Sequence, residues 1–161
     1  WDLAETHVSS WRESYRGLIS DAYLDRMSVE AHARRFHAEL SRPPPHSVTL
    51  AAADRYGVVG YASGGPSRSR RPGEAEVQTL YVRLAAQTSG LGRRLLTQAA
   101  RAFAGMGASS LMISTLRDNG PARRFYERMG GVAESPRREP GPGGLLYEVS
   151  YLWPDIGTLL R

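Results

Sequence analysis

The sequence predicts one α/β domain, a mixed β-sheet flanked by helices, and three observations predict it. A chain of 161 residues, 41% of them hydrophobic and 23% charged, has the size of one domain and can bury a real core. Segments with helical apolar spacing alternate with short apolar runs, and no internal repeat or linker separates them. In mid-chain a strand, a helix and a second strand follow one another at 74–82, 90–104 and 111–115, the order that pairs two strands in parallel.

The elements follow in order. Ala4, Val8, Trp11 and Tyr15 recur on one face of a helix over residues 2–17. After Gly17, Ser20 and Asp21 lead into a helical turn with Tyr23 and Leu24. Ser28 is the N-cap of a second long helix, with Val29, Ala33, Phe36 and Leu40 as its apolar stripe, and Pro43-Pro44-Pro45 stops it. Residues 47–53 and 58–62 read as an antiparallel hairpin turning at 54–57. Residues 63–73, SGGPSRSRRPG, read as a surface loop, and its Arg68, Arg70 and Arg71 as a cluster that is either solvated or in contact with an acidic partner.

A strand at 74–82 precedes a helix that packs through Leu91, Leu95, Leu96, Ala99 and Phe103. The strand at 111–115 is followed by Pro121 in the first turn of a helix with Ala122, Phe125, Tyr126 and Met129 inward. Gly130-Gly131 ends that helix, and strands at 132–135 and 145–153 flank a loop at 136–144.

Composition narrows the chemistry. With no Cys there is no disulfide, no thiol nucleophile and no Cys-ligated zinc, which fits a reducing cytoplasm. All 21 basic side chains are Arg, so cationic contacts fall to guanidinium groups suited to bidentate phosphate recognition, and lysine chemistry is excluded. His7, His32, His37 and His46 are scattered without metal-ligand spacing, so no metal site is expected. The apolar runs are too short to cross a bilayer, and no secretory leader is expected from these residues. The chain opens on Trp1 and not on Met, so an N-terminal piece is expected to be missing. A net charge of +5 admits an anionic small ligand or nucleic acid. The Arg residues spread over nearly every segment instead of lining one face, which argues against nucleic acid.

The most informative segment is LYVRLAAQTSGLGRRLL, residues 80–96. A strand ends, a short loop follows, and Gly90 and Gly92 open a helix, so free amides and the positive helix end converge on one anion site. Arg93 stands where a Walker A loop needs Lys, and the third glycine of the dinucleotide fingerprint is missing.

Two motifs make the reading specific. Gln87-Thr88-Ser89-Gly90-Leu91-Gly92 resembles the Q/R-x-x-G-x-G/A motif of the GNAT family of N-acetyltransferases, and it follows a strand ending Leu80-Tyr81-Val82 as in that family. Asn119-Gly120-Pro121-Ala122-Arg123-Arg124-Phe125-Tyr126, then Gly130, resembles the family's N-x-x-A-x-x-F-Y-x-x-x-G signature. The stretch WRESYRGLISDAYLD is similar to the family's first helices, and the likeness covers nearly the whole chain apart from a first strand expected before Trp1. Gly131 stands where the family usually has an aromatic, which is expected to loosen packing locally.

The resemblance implies a sheet whose two parallel strands splay to admit acetyl-CoA, and transfer of the acetyl group to a primary amine attacking directly in a ternary complex. It implies that Gln87, Thr88, Ser89, Gly90, Leu91 and Gly92, with Arg93 next, hold the pyrophosphate, and that Leu80, Tyr81 and Val82 pair with the pantetheine arm. Asn119, with Ala122 and Arg124 of the same motif, is placed against the cofactor, and Arg94 and Arg123 also fall where its phosphates are expected.

Tyr126 is implied as the general acid that serves the leaving thiolate, a phenol of ordinary pKa near 10 being able to donate a hydrogen bond or a proton. Glu76 is the positional match for the base and Glu74 the second choice. Strand alternation sets both opposite Val77, Thr79 and Tyr81, and a solvated strand edge explains them equally well. The acceptor is expected between the first two helices and the loop at 136–144, beside Trp11, Tyr15, Tyr23, Arg137 and Arg138. Homodimers are common in the family. Two other readings stand beside the enzyme: a sensor that binds acyl-CoA without catalysis, and an acetyltransferase whose acceptor is a protein or is associated with RNA.

Overall fold

The computed structural model describes residues 1–69 and 71–161; Arg70 of the expected loop cluster lies outside the described residues. Helix α1 (Asp2–Tyr15) is followed by α2 (Asp21–Arg26) and α3 (Val29–Ser41). The hydroxyls of Ser20 and Ser28 accept the first-turn amides of Tyr23 and Ala31, satisfying donors that a helix start leaves open. Next come β1 (Val48–Asp54), β2 (Gly57–Pro66), β3 (Glu74–Val82), α4 (Leu91–Gly105), β4 (Ser110–Leu116) and α5 (Gly120–Arg128). The chain closes with β5 (Val132–Ala133), β6 (Arg137–Gly141), β7 (Gly144–Trp153) and a 3-10 turn at Ile156–Leu160.

The strands form one sheet in the order β1-β2-β3-β4-β7-β5, with β6 paired to the outer part of β7. Every pairing is antiparallel except β3 with β4, the parallel pair expected from the strand–helix–strand order. On one face α4 and α5 cover a core of Val77, Leu96, Phe103, Leu111, Ile113, Tyr126, Tyr151 and Trp153. On the other, the first three helices bury Val8, Leu24 and Met27, and Ala4 and Phe36 against Tyr61. Leu40, expected in the α3 stripe, is exposed; the stripe ends at Phe36.

Four expectations change. β2 runs on through Gly64 and Gly65 instead of ending at Ala62, because these glycines are strand residues: a Cβ on Gly64 would collide with the Glu76 carbonyl of the adjacent strand. Much of the expected loop at 136–144 is strand β6, paired from Arg137 opposite Glu148 to Gly141 opposite Gly144. The face assignment in β3 is also different. Ser63 pairs with Thr79 but Gly64 with Val77, so Gln78 is an extra residue, a bulge that reverses the alternation. Val77 and Leu80 therefore share the α4 face, while Glu76 lies on the α1 face with Thr79 and Tyr81. Finally, packing at Gly131 is tight: a Cβ there would stand 2.8 Å from the Trp153 ring and 3.1 Å from the Tyr126 carbonyl oxygen. Trp153 occupies that space, its indole N–H donating to the Met129 carbonyl at 2.8 Å.

Candidate functional site

β3 and β4 pair only from Glu74 opposite Ser110 to Val77 opposite Ile113. Beyond that point the Gln78 bulge keeps β3 with β2, β4 stays with β7, and the two strands part. The facing edges of Gln78–Val82 and Ser114–Leu116 thus lose each other as hydrogen-bond partners, so a strand edge opens inside the sheet. A cleft of about 500 Å³ fills the gap.

One end of the cleft is the loop before α4. Gln87 Nε2 donates to the Val82 carbonyl at 3.0 Å, Thr88 Oγ1 to the Gln87 carbonyl at 2.6 Å, and Ser89 Oγ to the Ala86 carbonyl at 2.7 Å. These side chains consume carbonyls and leave the amides available. Gly90 caps α4 in the left-handed region at φ 80° and supplies no side-chain acceptor, so the first helical N–H groups point outward uncapped. Thr88 also holds a positive φ of 63°, which costs a β-branched residue strain and curls the loop around the helix end. The result is a cationic backbone nest with Arg93 beside it.

The opposite wall is α5. Asn119 is its N-cap, Oδ1 accepting from the Ala122 amide at 3.3 Å. Tyr126 is 5% exposed and lines the cleft with its ring against Phe125, Tyr151 and Trp153. Burial, with smaller contributions from Tyr15 and Tyr151, holds its phenol above the usual range, so it stays protonated at neutral pH. Tyr15 Oη lies 3.3 Å from Tyr81 Oη, and burial raises both of these phenols as well.

Of the expected site residues, Leu80, Tyr81, Val82, Gln87, Thr88, Gly90, Gly92, Arg93, Asn119, Ala122 and Tyr126 line this one cleft. Ser89, Leu91 and Arg124 do not, and Arg123 donates to the Tyr151 hydroxyl and the Arg117 carbonyl instead. Gln78, Thr79, Ser114, Thr115 and Arg128 also line it and carry no sequence signal of their own; their place follows from where the parallel pairing stops.

Glu76 stands apart. Its side chain is wholly buried, so the solvated-edge explanation does not hold, and it lies outside the cleft lining. Arg68 Nε donates to Oε1 at 2.9 Å and Oε2 at 3.2 Å, and the Arg68 amide to Oε2 at 2.9 Å. Glu74 is equally buried and accepts from Ser67, Ser69 and Arg71. The loop between β2 and β3 is therefore pinned by two buried carboxylates, and its Arg68 and Arg71 are anchors. No group of His, Asp and Glu suited to a metal occurs among the described residues, and no helix among them is long and apolar enough to cross a membrane.

The comparisons agree with this geometry. The model of the acetyltransferase (GNAT) family matches residues 6–131. The chain is 30% identical over 159 residues to an uncharacterised N-acetyltransferase of Bacillus subtilis, YuaI, covering 98% of this chain and 89% of that one. Its fold is similar to the PaiA N-acetyltransferase of Thermoplasma acidophilum in complex with coenzyme A, at TM-score 0.66 and 18% identity over 94% of this chain and 91% of that one. It is also similar to YncA of Salmonella typhimurium, a structure with acetyl-CoA, at TM-score 0.67 and 20% identity over 94% and 85% of the two chains. With a split parallel pair whose cleft is lined by an uncapped helix start and a buried phenol, the chain belongs to the GNAT family of N-acetyltransferases.

Proposed function

We propose that this chain transfers the acetyl group of acetyl-CoA to a primary amine, the amine attacking directly in a ternary complex. The observation that carries the reading is the parting of β3 and β4 after Val77 and Ile113, which joins an anion nest to a buried donor through one cleft. The residues present fit the cofactor. The outward amides at the start of α4 and Arg93 suit a pyrophosphate, and the unpaired edge of Leu80–Val82 suits the amide-bearing pantetheine arm. Bound acetyl-CoA supplies an activated acyl group: the new C–N bond forms as the thioester C–S bond breaks.

The chain's part in that step is positioning and one proton. Tyr126 donates to the sulfur as charge develops there, while the amine's proton passes to solvent. Glu76, expected as base, is better suited by its cap of Arg68 to hold the loop against β3. The test is a thermal melt with acetyl-CoA followed by an amine panel. At ~100 times the dissociation constant, linkage adds about 2.7 kcal/mol. A stabilisation of that order together with turnover supports the reading; stabilisation with no turnover of any amine supports the acyl-CoA sensor; no stabilisation at millimolar ligand overturns both.

A further inference from the structure

β4 and β7 pair with Ser114 opposite Ser150 and Leu116 opposite Glu148. Val149, Tyr151 and Trp153 point into the α4–α5 core, so Glu148 and Ser150 lie on the other face, the one covered by the first helices. Ser114 lines the cleft where the strands part, and its hydroxyl lies 3.0 Å from that of Ser150. Glu148 stands on that same face, diagonal to Ser114, a spacing of about 7–8 Å between such strand neighbours.

Glu148 is a half-buried carboxylate with no ion pair and no side-chain hydrogen bond among the described residues. In a chain with 21 Arg against 16 acidic residues, that is an unusual vacancy, since a desolvated carboxylate favours a cationic partner. Among the described residues, the charged groups around it have other partners or face solvent. Arg68 is bound to Glu76, the cross-strand neighbour Arg137 reaches Glu134 at 3.9 Å, and Glu139 on β6 is exposed. Burial raises the Glu148 carboxyl above its ordinary range, Glu139 and Glu76 push the same way, and Arg68 opposes them. Tyr15, which lines the cleft, senses its charge, and Leu116, directly opposite Glu148 on β4, packs against the same apolar cluster as Tyr15.

We propose that Glu148 receives a second, non-reacting cationic group of the acceptor, so the acceptor class is a diamine or longer oligoamine whose reacting nitrogen lies where β3 and β4 part. The proposal rests on the acetyltransferase reading above. A few methylene groups between two nitrogens span the distance from Ser114 to the Glu148 carboxylate, with Tyr15 and Leu116 against them.

The experiment measures acetyl transfer to diaminobutane and diaminopentane against butylamine and pentylamine, in wild type, Glu148→Gln and Glu148→Asp, with Glu139→Gln as the exposed control. Wild type is expected to favour each diamine by about tenfold or more in kcat/KM, the worth of one charge-assisted contact. Glu148→Gln erases that preference by raising KM for diamines relative to alkylamines, and acetyl-CoA still stabilises the variant. Glu148→Asp recovers part of it and Glu139→Gln leaves it intact. Equal use of diamines and alkylamines by wild type, or a preference that survives Glu148→Gln, overturns the proposal. So does the absence of diamine acetylation in a protein that acetyl-CoA still stabilises, and that outcome leaves the cofactor reading standing. Loss of the stabilisation itself overturns the cofactor reading.

Discussion

Arg68 closes over the buried carboxylate of Glu76 from two directions, with its guanidinium against both oxygens and its own amide 2.9 Å from Oε2. Glu76 has no exposed side-chain surface, whereas the Arg68 side chain is 69% exposed, so the pair is a plug whose outer half meets water.

That asymmetry sets the first expectation. Arg68→Ala strands a buried carboxylate and is expected to destabilise the fold by about 2–3 kcal/mol, at or below the low end for a wholly buried pair because Arg68 is part solvated. Glu76→Gln keeps an acceptor for the Arg68 amide and should cost less. Urea unfolding of both variants checks the order. Turnover separates the roles of Glu76: an anchor leaves kcat of Glu76→Gln within a few-fold of wild type, whereas a base lost there lowers it by ~10².

Gly131 gives the second. Because the Trp153 ring stands 2.8 Å from where a Cβ would be, Gly131→Ala must push the indole or α5 aside. Overpacking of this kind costs about 1–3 kcal/mol. In a chain of this size each kcal/mol lowers the melting midpoint by roughly 2–4 °C, which a calorimetric scan resolves. Restoring an aromatic at 131 should be worse than alanine unless Trp153 is reduced at the same time.

Local signals were legible in the sequence and long-range ones were not. The Ser28 cap, Pro121 at the start of α5 and the glycines before α4 act within a few residues of themselves, so their chemistry reads directly from the chain. Gly64 and Gly131 are different, since each is glycine because of a partner 12 and 22 positions away, the Glu76 carbonyl and the Trp153 ring. Reading residues 63–73 as a loop ends β2 at Ala62, and the bulge at Gln78, set by the register with β2, reverses the face of every later β3 residue. The cleft divides the same way. Its anion nest is one contiguous motif, but the rest of its lining draws Tyr15, Thr79 and Ser114 from three distant segments with no shared spacing.

His7 gives a pH dependence. It is 3% exposed, its Nδ1 lies 2.5 Å from the Tyr61 hydroxyl, and its ring centre lies 4.6 Å from that of His32, the two rings tilted, among Trp11, Phe36 and Tyr81. Burial first, then His32 and Arg35, lower its pKa from 6.5 to about 3. The folded state thus keeps His7 neutral while the unfolded chain takes up a proton below 6.5. Stability from this residue is complete above that pH and is lost as pH falls towards 3. The slope is at most about 1.4 kcal/mol per pH unit. Carboxylates titrate mainly below about pH 5, which leaves a window just above it for His7. In His7→Leu the urea midpoint should be lower throughout, because Tyr61 loses its partner, and nearly flat across that window. A wild-type slope that persists in His7→Leu would assign the effect elsewhere.

Tyr126 carries the chemical prediction. Removing its hydroxyl leaves the ring and its contacts with Phe125, Tyr151 and Trp153 in place, so Tyr126→Phe should fold and melt close to wild type. On the proposed reading the α4 amides and the β3 edge hold the cofactor, so stabilisation by acetyl-CoA should also persist. Turnover alone should fall, by ~10² or more, if the phenol serves the departing sulfur. Because burial holds this phenol above the usual range, it stays protonated at neutral pH, and the activity of wild type should not decline through its ionisation until well into alkaline solution. A thioester with a better leaving thiol needs less help from the donor, so the penalty of Tyr126→Phe should shrink with such a substrate. A penalty that is the same for both thiols would place Tyr126 in packing, because the loss of a proton donor depends on the basicity of the group it serves.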